Sequence, residues 1–142
     1  MFYKVMFHVA PLMPTKENDE QQIMKKRHIG NDNIHIVWTD NPNEYDTSTI
    51  KSHFNFAHVI IHPILNQYID YMKLYDVYVK AKDNTRNKLL MDDYPLILPA
   101  KAMPFLTKWT AIMADVIARE TTSREYAEGE LFAEMMGFIN DK

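Results

Sequence analysis

At 142 residues, with 46% hydrophobic and 25% charged side chains, the chain has the length and composition of one globular domain with a single modest core. A formal net charge of −3 gives no general attraction to nucleic acid or to an anionic membrane surface. The absence of cysteine excludes a disulfide framework and a thiolate zinc site.

No apolar run is long enough to span a bilayer, and "MFYKVMFHVAP" reads as a strand rather than a secretory signal. A cytosolic location is the expectation, with no membrane insertion. Tyr3, Val5, Phe7 and Val9 alternate with Lys4, Met6 and His8, so residues 2–10 are expected to form a half-buried strand. Pro11 and Pro14 end it. Asn18 or Asp19 then caps a short helix through "EQQIMKKRH", which closes on Lys25, Lys26, Arg27 and His28, as its macrodipole favours. Gly30 stands where a C′ residue in the left-handed conformation is wanted.

"NIHIVW" (33–38) is expected to be the next strand, followed by a turn-rich loop through residue 54. Val59, Ile60 and Ile61 form a β-branched run suited to a strand buried on both faces. "LYDVYVKAK" (74–82) reads as its neighbour, after a polar-aromatic connection at 66–73. From Pro104 to Glu120 the period becomes helical, with Phe105, Trp109, Ile112, Met113, Val116 and Ile117 on one stripe that is expected to face the core. Thr122 and Glu125 have capping-box spacing and open a second helix to about Ile139, its apolar face built from Leu131, Phe132, Met135 and Phe138. Strands followed by long helices imply an α/β domain, a central mixed β-sheet flanked by helices with two of them at the C-terminal end.

Few chemistries survive inspection. His58 and His62 share a strand face and, with His35 or His53, have the chemistry to ligate a metal. Four residues along a strand, however, separate the rings by roughly 13 Å. Polar histidines on a half-exposed sheet are the better reading, and no metal is assigned. The chain has no P-loop, Rossmann glycine fingerprint or G-x-S-x-G elbow, and its three glycines are too few for a phosphate cradle.

What remains is "KKRHIGND" at 25–32. Read plainly, it is a helix C-cap: a basic last turn, a glycine, then a turn. The same cap carries Asn31 just past a rigid helix end, beside positive charge. A carboxamide both donates and accepts, and it does not titrate. It is therefore suited to holding a water in line with a γ-phosphate.

Three ordered blocks, "FHVAPLMP" at 7–14, "KKRHIGNDNIHIVW" at 25–38 and "SHFNFAHVIIHP" at 52–63, resemble the Rap/Ral/Rheb GTPase-activating domain shared by Rap-GAPs and tuberin. The resemblance implies that Asn31 is an asparagine thumb inserted into the active site of a Ras-superfamily GTPase of the Rap, Ral or Rheb type. It also implies that Lys26, Arg27, His28, Gly30 and Asp32 support the catalytic helix or contact the GTPase. GTP and Mg²⁺ would belong to the partner, leaving this chain without a cofactor of its own. Domains of this family carry further sheet strands before the "FHV" segment. Residues 1–142 are accordingly expected to be the thumb-bearing C-terminal portion, with a sheet edge exposed along 2–10 and self-association or pairing with an upstream segment to cover it. The alternative is a non-catalytic module that binds a GTPase or another subunit.

Overall fold

The computed structural model describes residues 4–41, 43–64, 73–81 and 95–140, with side chains of the last helix described through Arg124 and at Tyr126. Four strands form one mixed sheet in the order β1-β2-β3-β4: β1 Ile34–Trp38, β2 Ala57–Ile64, β3 Leu74–Ala81 and β4 Leu96–Pro99. β1 runs parallel to β2, with Ile34 opposite Ala57 and Trp38 opposite Ile61. β2–β3 and β3–β4 are antiparallel, with Val59 opposite Val79 and Leu74 opposite Pro99. Among the described residues there are two α-helices, α1 Ile23–Ile29 and α2 Met103–Asn140.

β2 is central, and its β-branched run is buried on both faces, as its sequence suggests. Ala57, Val59 and Ile61 point toward α2 together with Val77, Val79 and Leu98. His58, Ile60 and His62 point to the opposite face by the period-two alternation of a strand. The core is thus a single layer between one sheet face and α2.

Four expectations are corrected. Residues 4–9 belong to no strand, and Val5, Phe7 and Val9 are exposed before a 3-10 turn at Ala10–Leu12. Alternation alone makes no strand without a neighbour to complete its hydrogen bonds. The described sheet edges are therefore β1 and β4, and residues 4–9 present no sheet edge.

β4 is an addition. Its "LILP" is a short apolar run ending in proline, too brief for periodicity to reveal.

α2 is one continuous helix where two are expected. The Thr122 hydroxyl donates to the Ala118 carbonyl (3.0 Å) and Ser123 to that of Arg119 (2.8 Å), so both turn back onto their own helix instead of capping a new one.

The orientation of α2 also departs from the expectation: of the expected stripe Ile117 packs against the core, whereas Phe105, Trp109 and Met113 are exposed. Its buried face is the small-residue stripe Thr107, Thr110, Ala111, Ala114 and Ala118. Phe105 and Trp109 point outward, 69% and 53% exposed. Small side chains let the helix axis approach the sheet closely, and the β-branched residues of β2 and β3 fill the gap. The proposed apolar face at Leu131–Phe138 and the 66–73 connection, apart from Lys73, lie outside the described residues.

Candidate functional site

α1 is only seven residues long and is held at both ends. At its start the Asp19 carboxylate accepts from the backbone N–H groups of Ile23 (2.8 Å) and Met24 (3.1 Å). These two bonds, with Lys16 and Lys26 nearby, hold the Asp19 carboxyl below its ordinary value. The helix expected from Glu20 begins only at Ile23, with the left-handed Gln22 (φ 52°) at its N-cap, and Asp19 satisfies its first N–H groups from three residues before that cap.

At its end the helix passes into Gly30 without the left-handed turn that the sequence suggests. Gly30 is right-handed, at φ −64° and ψ −14°, and its N–H donates to the Lys26 carbonyl at 2.7 Å. The need for glycine is spatial. A Cβ there would lie 3.0 Å from the Lys26 carbonyl oxygen and 3.3 Å from that of Lys51. The loop at Lys51–Asn55 closes directly over the helix end, and a side chain at position 30 would hold it off.

Beyond Gly30 the chain turns tightly. The Asn31 N–H donates to His28 O (3.3 Å) and the Asp32 N–H to Ile29 O (3.0 Å). The Asn31 side chain is exposed, and its carboxamide has no hydrogen-bond partner among the described residues. Lys26, Arg27 and His28 are exposed around the same helix end, so its negative dipole end lies beneath a basic surface. Asp32 reaches back to the N-terminal segment, where its carboxylate meets His8 Nδ1 at 2.8 and 3.0 Å.

The six residues expected at the site therefore lie on one short helix end and its turn. They divide by task. Asn31, Lys26, Arg27 and His28 face solvent, whereas Gly30 is buried and Asp32 is tied to His8.

Four further residues hold the site, and of these sequence reasoning singles out His35 alone, as a candidate metal ligand. The buried His35 ring on β1 donates from Nε2 to the Ile29 carbonyl at 2.8 Å. The Ser52 hydroxyl donates to the Gly30 carbonyl and accepts from the N–H groups of Phe54 (3.2 Å) and Asn55 (2.9 Å). Asn33 donates to Asp115 of α2 at 3.0 Å, and Asp115 in turn accepts from Arg119 at 2.8 Å. His8 and Ser52 sit inside the blocks "FHVAP" and "SHFNF", which signal the family. His35 and Asn33 sit inside the block at 25–38 as well, and nothing local marks Asp115.

On the sheet face away from α2 lies an open concavity of about 1440 Å³, lined among others by His58, His62, Asp76, Tyr78 and Lys80. The His58 and His35 rings meet edge to face at 5.0 Å. Burial, followed by the repulsion that a protonated His35 and Lys80 would exert, pushes His58 down to about 4, so it is neutral at physiological pH. His58 is only 7% exposed, which makes it a buried histidine rather than a half-exposed one. Among the described residues no cluster of three or more His, Cys, Asp or Glu side chains has the placement to hold a metal ion. No described helix is long and apolar enough to cross a membrane.

The arrangement matches known proteins. The Ral GTPase-activating protein subunit alpha-1 of Rattus norvegicus is 30% identical over 111 residues, which cover 78% of this chain and 5% of that protein. RapA guanosine triphosphatase-activating protein 1 of Dictyostelium discoideum is 38% identical over 63 residues, 44% of this chain and 6% of that protein. The solved structure of the TSC2 GAP domain superposes with a TM-score of 0.64 at 32% identity, covering 78% of this chain and 57% of that one. The chain thus spans about a twentieth of the length of these two full-length relatives and just over half of the TSC2 GAP domain chain. The Rap/ran-GAP family model aligns with residues 1–133, through the helix end, its anchors and the sheet behind them, and the chain belongs to that family.

Proposed function

We propose that this chain stimulates GTP hydrolysis by a small GTPase of the Rap, Ral or Rheb type, with Asn31 as an asparagine thumb. The observation that carries this reading is the pairing of an exposed, unengaged carboxamide with a tightly held helix end, in a chain of the Rap/ran-GAP family. Relatives named for Rap and Ral GTPase activation support the partner class.

In the complex the Asn31 carboxamide stands beside the γ-phosphate and orients the attacking water. The water oxygen forms a bond to phosphorus as the bond to the bridging oxygen of GDP breaks, and inorganic phosphate leaves. GTP and Mg²⁺ come with the GTPase. Lys26, Arg27 and His28 supply positive charge toward an anionic partner surface, and Gly30 and Asp32 keep the turn in shape. An amide suits this task because its charge does not change with pH. The setting in which such a partner is met is cytosolic.

The test is single-turnover GTP hydrolysis by Rap, Ral and Rheb, each with the chain and with its Asn31→Ala form. Acceleration of one partner that is lost in the variant supports the reading. Acceleration that survives in Asn31→Ala overturns the thumb. Tight binding without acceleration would identify a non-catalytic GTPase-binding module instead.

A further inference from the structure

The carbonyls at the end of an α-helix have no partners within the helix, and an end this short would fray if they were left to water. In α1 the two carbonyls immediately before Asn31 are both taken by side chains from elsewhere in the chain. The Ile29 carbonyl, which also takes the Asp32 N–H of its own turn, accepts from His35 Nε2, 2.8 Å away on β1. Because a carbonyl can only accept, this bond places the proton of a neutral His35 on Nε2. The Gly30 carbonyl accepts from Ser52. A serine hydroxyl has one proton to donate and two lone pairs, and here all three are used: one toward Gly30 and two by the N–H groups of Phe54 and Asn55.

His35 is 5% exposed, and its backbone sits in the parallel ladder opposite His58. Its ring is pinned edge-on by the His58 ring, so the donor cannot swing away from Ile29 without disturbing the sheet. Ser52 lies in the segment that passes over Gly30, close enough that a Cβ at position 30 would meet the Lys51 carbonyl oxygen at 3.3 Å. One anchor ties the turn to the rigid sheet and the other to the loop that closes on it. Between them stands Asn31, whose own side chain meets no partner among the described residues.

We propose that His35 and Ser52 are positioning residues that aim Asn31: as a two-point clamp on the Ile29 and Gly30 carbonyls, they fix the direction of the thumb before any GTPase is bound. This inference rests on the thumb reading given above. Its physical content is preorganisation. A misaimed amide still docks, since docking is spread over the surrounding surface, but it reaches the reactive arrangement less often. Loosening the clamp should therefore lower the maximal stimulated rate and leave half-saturation nearly unchanged.

The experiment compares the full chain with its Ser52→Ala, Ser52→Thr, His35→Leu and His35→Gln forms, using whichever GTPase the native chain accelerates. Ser52→Ala and His35→Leu are expected to lose roughly ten- to a hundredfold in maximal rate, with half-saturating concentration changed less than about threefold. Ser52→Thr keeps the hydroxyl and His35→Gln keeps an N–H donor of similar reach, so each should recover most of the rate. Unchanged maximal rates, a loss confined to half-saturation, or no recovery by the conservative forms would overturn the clamp.

A second measurement needs no GTPase. Amide hydrogen exchange at Asn31 and Asp32 should quicken by about tenfold or more in Ser52→Ala and His35→Leu, while Val59 and Ile61 in β2 remain protected. Equal exchange at Asn31 and Asp32 in native and variant chains would overturn the clamp by itself. If the native chain accelerates no GTPase, the proposed function fails, and the exchange data still decide whether the turn is held in this way.

Discussion

The Lys51 carbonyl oxygen lies 3.3 Å from where a Cβ on Gly30 would stand, and the Lys26 carbonyl oxygen lies 3.0 Å from it. Both neighbours are backbone and cannot swing aside as a long side chain would. The glycine in "HIGND" thus allows a loop from 21 residues later to close over the helix end, and its φ of −64° makes no use of glycine's wider conformational range.

Gly30→Ala is therefore expected to destabilise the fold by about 1–3 kcal/mol through overpacking. The opposing effect, a less flexible unfolded chain, would stabilise by about 0.4–1 kcal/mol if the new methyl group fitted. Urea unfolding of the two forms separates these outcomes by sign. A more stable variant would mean that the Lys51 loop moves aside freely.

His58 makes a prediction about acid. Its folded pKa of about 4 is below the ordinary histidine value of 6.5, so between these values the unfolded chain binds the extra proton. The contribution of neutral His58 is fully present above pH 6.5 and is lost as pH falls toward 4. Between pH 7 and pH 5 the chain should lose about 1 kcal/mol from this group, a figure reduced for screening beside the open concavity. Urea midpoints at the two pH values, compared with those of His58→Gln, measure it. An equal acid sensitivity in the variant would remove His58 as the cause.

Asp19 has the opposite sign. Its folded pKa is held down, chiefly by the N–H groups of Met24 and Ile23, so its stabilisation of α1 is present above about pH 4 and is lost as pH falls through the lowered value. Asp19→Ala should lower the melting temperature and quicken amide exchange at Ile23 and Met24. Glu20→Ala, a neighbouring exposed acid, should change neither. Matching effects from the two would assign the stabilisation to general charge rather than to the cap.

The orientation of α2 is open to a paired substitution. Ala114 is fully buried against the sheet, so Ala114→Leu should cost about 1–3 kcal/mol by overpacking. Trp109 faces outward, and Trp109→Gln should cost less than about 1 kcal/mol. If Trp109→Gln proves the more damaging of the two, the helix presents its larger residues to the core after all.

Much of this molecule was legible in its residues because the signals involved are local. β1, β2 and β3 were readable from alternation or from a β-branched run: β1 and β3 lie within one residue of their expected bounds, and β2 extends the run at 59–61 to Ala57–Ile64. α1 was readable from its basic last turn and from Asp19 ahead of it, and the "HIGND" turn follows directly. The three blocks that carry the family resemblance also proved sound, since the Rap/ran-GAP match covers all of them.

The features that were not legible depend on contacts between distant parts of the chain. Residues 4–9 alternate like a strand, but a strand exists only where another backbone completes its ladder. Both faces of α2 carry apolar residues, so periodicity marks a helix without saying which side meets the sheet. The choice fell to close approach, which favours Ala and Thr. The chemistry of Asn31 could be suspected from a five-residue motif. That it stands on a helix end gripped by His35 from one strand and Ser52 from a later loop was decided by the tertiary structure, because these two side-chain donors come within hydrogen-bond reach of the Ile29 and Gly30 carbonyls only in the folded chain.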